Sequence, residues 1–283
     1  MRYLTNFTNV VDLLFNQRQC QSNLSLLEVS ALPPASHEPL SSSLDSALPS
    51  SHQLVCALGG CHINGYPFPQ EKSFLDIAIV KAGWNDAAVL RCAPASLRAI
   101  NTWLGAHAQD IAGARIILQI GNYESIRGAN LADTQGHTIN EALPIPSTRF
   151  GNRIGKNPFK ELIKYILVIA KIIMGRSPYN SADFSEKLEH TFTLIRNAAP
   201  AEVIVLASFS SYSRAVNLCR RLLNIDMLRL TQRFGFTWLD SYAALQQARR
   251  THSNSLFIDT IHLSESGHEI VAAQIADHWR QQA

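Results

Sequence analysis

Apolar positions along this chain gather into short dense runs separated by longer stretches of mixed character. Five runs read as buried strands, at residues 53–58, 75–81, 115–120, 202–207 and 236–239. Between them, residues 93–108 and 213–234 carry the spacing of amphipathic helices, and the chain closes with a helix over 266–281. Strands alternating with helices predict a parallel sheet covered on both faces. Five strands point to a flavodoxin-like three-layer sandwich with strand order 2-1-3-4-5, whose crevice opens at the carboxyl ends of strands one and three. Strand one runs into Gly59-Gly60-Cys61 and strand three into Gly121-Asn122-Tyr123-Glu124, so the expected topology sets Cys61 and Asn122 beside one cleft.

Two regions fall outside the alternation. Residues 1–50 contain a short amphipathic stretch around Val10, Val11, Leu13, Leu14 and Phe15, then a segment rich in Ser and Pro that suits a linker. The main domain is therefore placed at 51–283. About 80 residues separate strands three and four, more than a crossover helix needs, which predicts a helical insertion at about 140–195. Its centre, 157–175, is apolar over most of its circumference, with Lys160, Lys164 and Lys171 on one side at 100° per residue. A core-packed crossover helix, a lid, a partner dock and a membrane-surface helix all fit that pattern.

Composition narrows the partners. A net charge of +3 with no basic tract interleaved with aromatics argues against nucleic acid. The five cysteines (Cys20, Cys56, Cys61, Cys92 and Cys219) are scattered and odd in number, with no Cys-x-x-Cys pair, which suits a reduced, cytoplasmic protein without a structural metal. The amino terminus has no apolar core followed by a small-residue cleavage site, so export is not expected.

Candidate chemistry sits at the two ends of the domain. Gly59-Gly60 ends the first strand in a turn that residues with a Cβ resist, and Cys61 stands at its tip. A helix starting just beyond would lower the thiol's pKa through its unpaired N–H groups and dipole. The alternative is a small residue filling a tight turn. Near the carboxyl end, Asp259 and His262 are three apart, a spacing that lets the carboxylate fix the imidazole tautomer and leave the other ring nitrogen free to move a proton. His62 reads as a turn residue, His252 and His268 have no assigned role, and a metal site from Cys61, His62 and His262 has poor chelating spacing.

These residues together resemble the SGNH, or GDSL, hydrolase superfamily. Its Gly-Asp-Ser-x-x-x-Gly block is similar to Gly59-Gly60-Cys61-His62-Ile63-Asn64-Gly65, with cysteine for serine and glycine for aspartate. Gly83 stands where the family carries a glycine after strand two, and Gly121-Asn122 stands for the block after strand three with its asparagine one position early. Asp259-Thr-Ile-His262-Leu263 matches the final Asp-x-x-His-Leu block without departure. The resemblance runs from about Leu54 to the C-terminus. It implies Cys61 as nucleophile, His262 and Asp259 as base pair, and an oxyanion hole from Cys61, Gly83 and Asn122, without cofactor or metal. The implied activity is acyl hydrolysis or transfer through an acyl thioester on a small acyl substrate; separately, the basic insertion, with Lys156, Lys160, Lys164, Lys171 and Arg176, suggests an acidic carrier protein, a lipid or an acyl-coenzyme A thioester. A non-catalytic binding module and a carbohydrate O-acyl esterase are the alternatives.

Overall fold

The computed structural model describes residues 53–93, 95–122, 158–174, 181–251, 256–259 and 262–282. The expected N-terminal helix and linker lie outside the described residues. Five parallel strands form one sheet: β1 (Leu54–Gly59), β2 (Ala88–Cys92), β3 (Arg115–Gln119), β4 (Glu202–Leu206) and β5 (Thr237–Leu239), in the order β2-β1-β3-β4-β5. The helices are α1 (Phe74–Lys81), α2 (Leu97–His107), α3 (Pro158–Ile173), α4 (Ser181–Asn197), α5 (Arg214–Phe234), α6 (Ser241–Thr251) and α7 (Glu265–Gln282).

Period-two alternation along the strands divides the core between two faces. Cys56, Leu58, Ile116, Leu118, Val203 and Val205 pack with α2, α4 and α5. Val55, Ala57, Ile117, Ile204 and Leu206 pack on the other face with α1, α6 and α7. Strands buried on both faces read as continuous apolar runs, which is why β1, β3 and β4 stand out in the sequence.

The second strand does not lie where the apolar pattern predicts. Residues 75–81 belong to α1, and the strand is Ala88–Cys92, a half-buried edge. A continuous apolar run cannot by its periodicity be told from a buried helix. The deciding residue is Ser73, whose Oγ accepts the Asp76 N–H at 3.1 Å and caps α1, an interaction typically worth about 1 kcal/mol. Arg91 on β2 pairs with the Asp76 carboxylate at 2.6 Å, tying the edge strand to this capped turn.

Backbone geometry holds the end of β1 against β3. Gly59 has φ +145°, and a Cβ there would lie 1.8 Å from the Gln119 carbonyl oxygen, so only glycine fits. The Gly60 N–H then donates to the same carbonyl at 3.1 Å and to Gln119 Oε1 at 3.2 Å. These contacts fix where Cys61 leaves the sheet.

Candidate active site

Cys61 begins a four-residue 3₁₀ turn, Cys61–Asn64, and is partly exposed. The next α-helix does not start until Phe74, so the helix-dipole activation expected from the sequence has no helix to supply it. The turn is anchored instead by Asn64, whose Nδ2 donates to the Ala93 carbonyl at 2.8 Å in the loop after β2, and by the Ala95 N–H donating to the Gly59 carbonyl at 2.7 Å.

Asp259 and His262 lie in a short loop closed by an antiparallel bridge between Phe257 and Leu263 and by the Ile258 N–H bonded to the His262 carbonyl at 3.0 Å. One carboxylate oxygen of Asp259 accepts the His262 backbone N–H at 2.8 Å and the other meets His262 Nδ1 at 2.7 Å. The same side chain thus caps the turn and orients the ring. Burial alone would lower the imidazole pKa, but hydrogen bonds with the Asp259 carboxylate and the Cys61 side chain, and the charges of both, raise it to about 9. Cys61, His262 and Asp259 are therefore brought into one interacting set, although Cys61 and His262 lie 201 positions apart in sequence.

Aromatic side chains wall this set. The Tyr66 ring meets the His262 ring edge-on at 4.7 Å, and its phenol pKa is raised by burial and then by the neighbouring Cys61 and Asp259 charges. His62 is buried, not simply a surface turn residue: its Nδ1 is 3.9 Å from Cys61 Sγ, and its Nε2 accepts the Leu263 N–H at 3.4 Å. It thereby ties the Cys61 turn to the loop that carries His262.

His268, without an assigned role from sequence, is fully buried, and its Nδ1 accepts the Phe74 N–H at 3.1 Å. Burial lowers its pKa from 6.5 to about 4; a Tyr66 main-chain hydrogen bond opposes this and the His262 charge adds to it. A histidine depressed on folding contributes stability that is fully present above about 6.5 and is lost as the pH falls through about 4. The difference between those values corresponds to about 3 kcal/mol at most. Thermal unfolding from pH 7 to 4 should show a steeper decline for the native chain than for His268→Gln, and parallel declines would contradict this assignment.

Asn122 follows Gly121, whose φ of +88° and contacts exclude a side chain: a Cβ would lie 2.1 Å from Ser208 Oγ. Asn122 is buried, and its Oδ1 accepts the Phe209 N–H at 3.0 Å, which turns the amide nitrogen the other way. Phe209 in turn packs edge-on against His62 at 5.2 Å, so Asn122 connects with the Cys61 surroundings through one aromatic ring. The loop carrying Phe209 is clamped by α5. Arg220 donates to the Phe209 and Ser210 carbonyls, Asn217 exchanges hydrogen bonds with the Ser211 backbone at 2.7 Å, and the Asn224 Oδ1 accepts the Ser208 N–H at 2.8 Å. Asn217, Arg220 and Asn224, recurring every three to four residues on one side of α5, are the sequence signal that could have revealed this clamp.

Gly83 does not join the site. It follows α1 rather than a strand, and its N–H bonds the Val80 carbonyl at 3.0 Å. The adjacent Trp84 stacks on Trp279 at 4.3 Å and lies beneath the guanidinium of Arg115, the first residue of β3, at 4.9 Å. Those neighbours belong to the amino edge of the sheet, opposite the end of β1. The oxyanion role expected for Gly83 depends on a second strand at 75–81, whereas the strand is Ala88–Cys92. Among the described residues no cluster of His, Cys, Asp and Glu is arranged to hold a metal ion.

No family model and no curated protein matches this chain. Solved structures with the same fold do. One is a member of the lipolytic protein G-D-S-L family from Veillonella parvula DSM 2008, 13% identical with a TM-score of 0.53, covering 80% of this chain and 97% of that one. An acetylxylan esterase from Geobacillus stearothermophilus is 12% identical with a TM-score of 0.53, covering 81% and 94%. TesA is 10% identical with a TM-score of 0.52, covering 82% and 100%. At these identities the likeness establishes the shared fold.

Proposed function

We propose that this chain is an acyl hydrolase or acyltransferase in which Cys61 forms an acyl thioester with its substrate. The observation that carries the reading is His262 held at Nδ1 by Asp259 and hydrogen-bonded with the Cys61 side chain, at the carboxyl edge of a sheet shared with esterases. With His262 held as the imidazolium below about 9, the Cys61 proton already rests on the ring when the sulfur bonds to the acyl carbon and the carbonyl pair moves onto oxygen. Collapse of that adduct breaks the acyl–oxygen bond as His262 returns the proton to the leaving oxygen. Water or another acceptor then attacks the thioester, losing its proton to His262, and the thiol is restored. The Cys61 backbone N–H and the Asn122 side-chain amide receive the oxyanion, and donors of this kind lower the barrier by about 3 kcal/mol each.

A thioester exchanges with amines and thiols as well as with water, so the cysteine suits transfer as well as hydrolysis. Acyl donors carried by coenzyme A or a carrier protein fall within that chemistry, and so does the acetyl ester of a carbohydrate, the class named for one of the structural neighbours.

The raised pKa of His262 makes the reading testable by pH. An imidazolium that protonates the leaving oxygen is lost as the pH passes about 9, and the stability it contributes, fully present below about 6.5, is lost over the same rise. With an unactivated alkyl ester, whose leaving oxygen needs that proton, kcat/KM should fall on the alkaline side with a midpoint near 9. A rate that continues to rise well beyond that point would contradict this role for His262.

A further inference from the structure

Helix α3 presents to solvent the residues that its apolar composition would bury. Phe159, Leu162, Ile163, Ile166 and Leu167 are 41–67% exposed, whereas Val168 is only 3% exposed. This excludes the core-packed crossover helix as an account of that face. At 3.6 residues per turn the exposed five span an arc of about 140°, and exposed Lys164 lies between the edge of that arc and the side of Val168. In sequence, Lys160 and Lys171 fall on the same side as Lys164.

Charge separates along the chain in the same place. Residues 148–176 carry seven basic side chains (Arg149, Arg153, Lys156, Lys160, Lys164, Lys171 and Arg176) against one acidic, Glu161. That is +6 in a chain whose total is +3, so the remainder is net negative at −3. A wide apolar arc bordered by cations is the pattern of a helix lying in a bilayer interface, with apolar side chains among the upper acyl carbons and ammonium groups at anionic headgroups. An acidic protein surface would use the lysines but leave the five large apolar side chains without an apolar counterpart. The helix is about 24 Å long, and no described helix is long and apolar enough to cross a membrane.

We infer that the exposed face of α3 seats this protein on an anionic lipid bilayer surface, an interaction independent of the chemistry assigned to Cys61. Co-sedimentation of the full chain with phosphatidylcholine vesicles, with and without phosphatidylglycerol, tests it. Binding to the phosphatidylglycerol vesicles should be at least about tenfold tighter and should weaken with added salt. Ile163→Glu with Leu167→Glu should abolish binding to both kinds of vesicle. Lys160→Glu, Lys164→Glu and Lys171→Glu together should remove the preference for phosphatidylglycerol, with circular dichroism confirming that each variant is folded. Failure to sediment with anionic vesicles, or equal binding by both folded variants, would overturn the proposal. So would a dimer in sedimentation velocity that the Ile163→Glu and Leu167→Glu changes dissociate, since the face would then belong to a second copy. Retention by an acidic acyl carrier protein in the absence of any vesicle binding would assign it to a protein partner instead.

Discussion

Replacing Cys61 with alanine should reduce acyl hydrolysis by at least about 10⁴-fold, to the level that binding and oxyanion donors alone sustain. The side chain is small and partly exposed, so its removal leaves no large cavity and the melting temperature should change little. Cys61→Ser should retain slow turnover, because His262 can still take a proton from a hydroxyl. Initial rates on an acyl ester and on an acyl thioester, compared across the three proteins, check this order. A pure binding module behaves differently: the native chain shows no turnover, and the alanine variant retains full ligand affinity.

His262→Gln should lower kcat/KM by about 100-fold or more, within the usual range for loss of a proton-transferring group. Glutamine preserves much of the volume at this buried position, so a fall in activity without a matching fall in melting temperature separates proton transfer from packing. Because Asp259 holds both the ring and the backbone of His262, Asp259→Asn should also lower the rate, through loss of the tautomer and of the raised pKa. An alkaline limb in Asp259→Asn that moves below the native midpoint would show that the carboxylate acts through His262.

The sheet was legible where burial is complete. β1, β3 and β4 are covered on both faces, and their apolar runs mark them within a residue or two of their observed ends. α1 and β2 were not, for opposite reasons. The Phe74–Lys81 run is apolar enough for a buried strand but is capped as a helix by Ser73, while the true edge strand is half-buried and contains Arg91. That one exchange carried Gly83 into the expected oxyanion hole and left it at the wrong edge of the sheet. Asp259 and His262 were legible because their partnership is local, three residues apart. His62 and His268 were not, since their roles depend on contacts with Leu263 and Phe74 that lie about two hundred positions away in sequence. The neighbour of Cys61 was not legible for the same reason: the turn that carries it is met by His262, about two hundred positions away in sequence.

Mass spectrometry of the acylated protein shows whether Cys61 carries the acyl group. The protein is incubated with an acyl thioester, quenched in acid and mapped by peptide. The other described cysteines are poor competitors: burial pushes the Cys56 thiol up to about 12 with help from the Cys92 charge, burial also raises Cys92, and Cys219 is fully buried. The expected result is a mass increase of one acyl group on the peptide containing Cys61, prevented by prior alkylation and lost on treatment with hydroxylamine. An adduct confined to another residue, or none at all while Cys61 proves inert to alkylation, would contradict it.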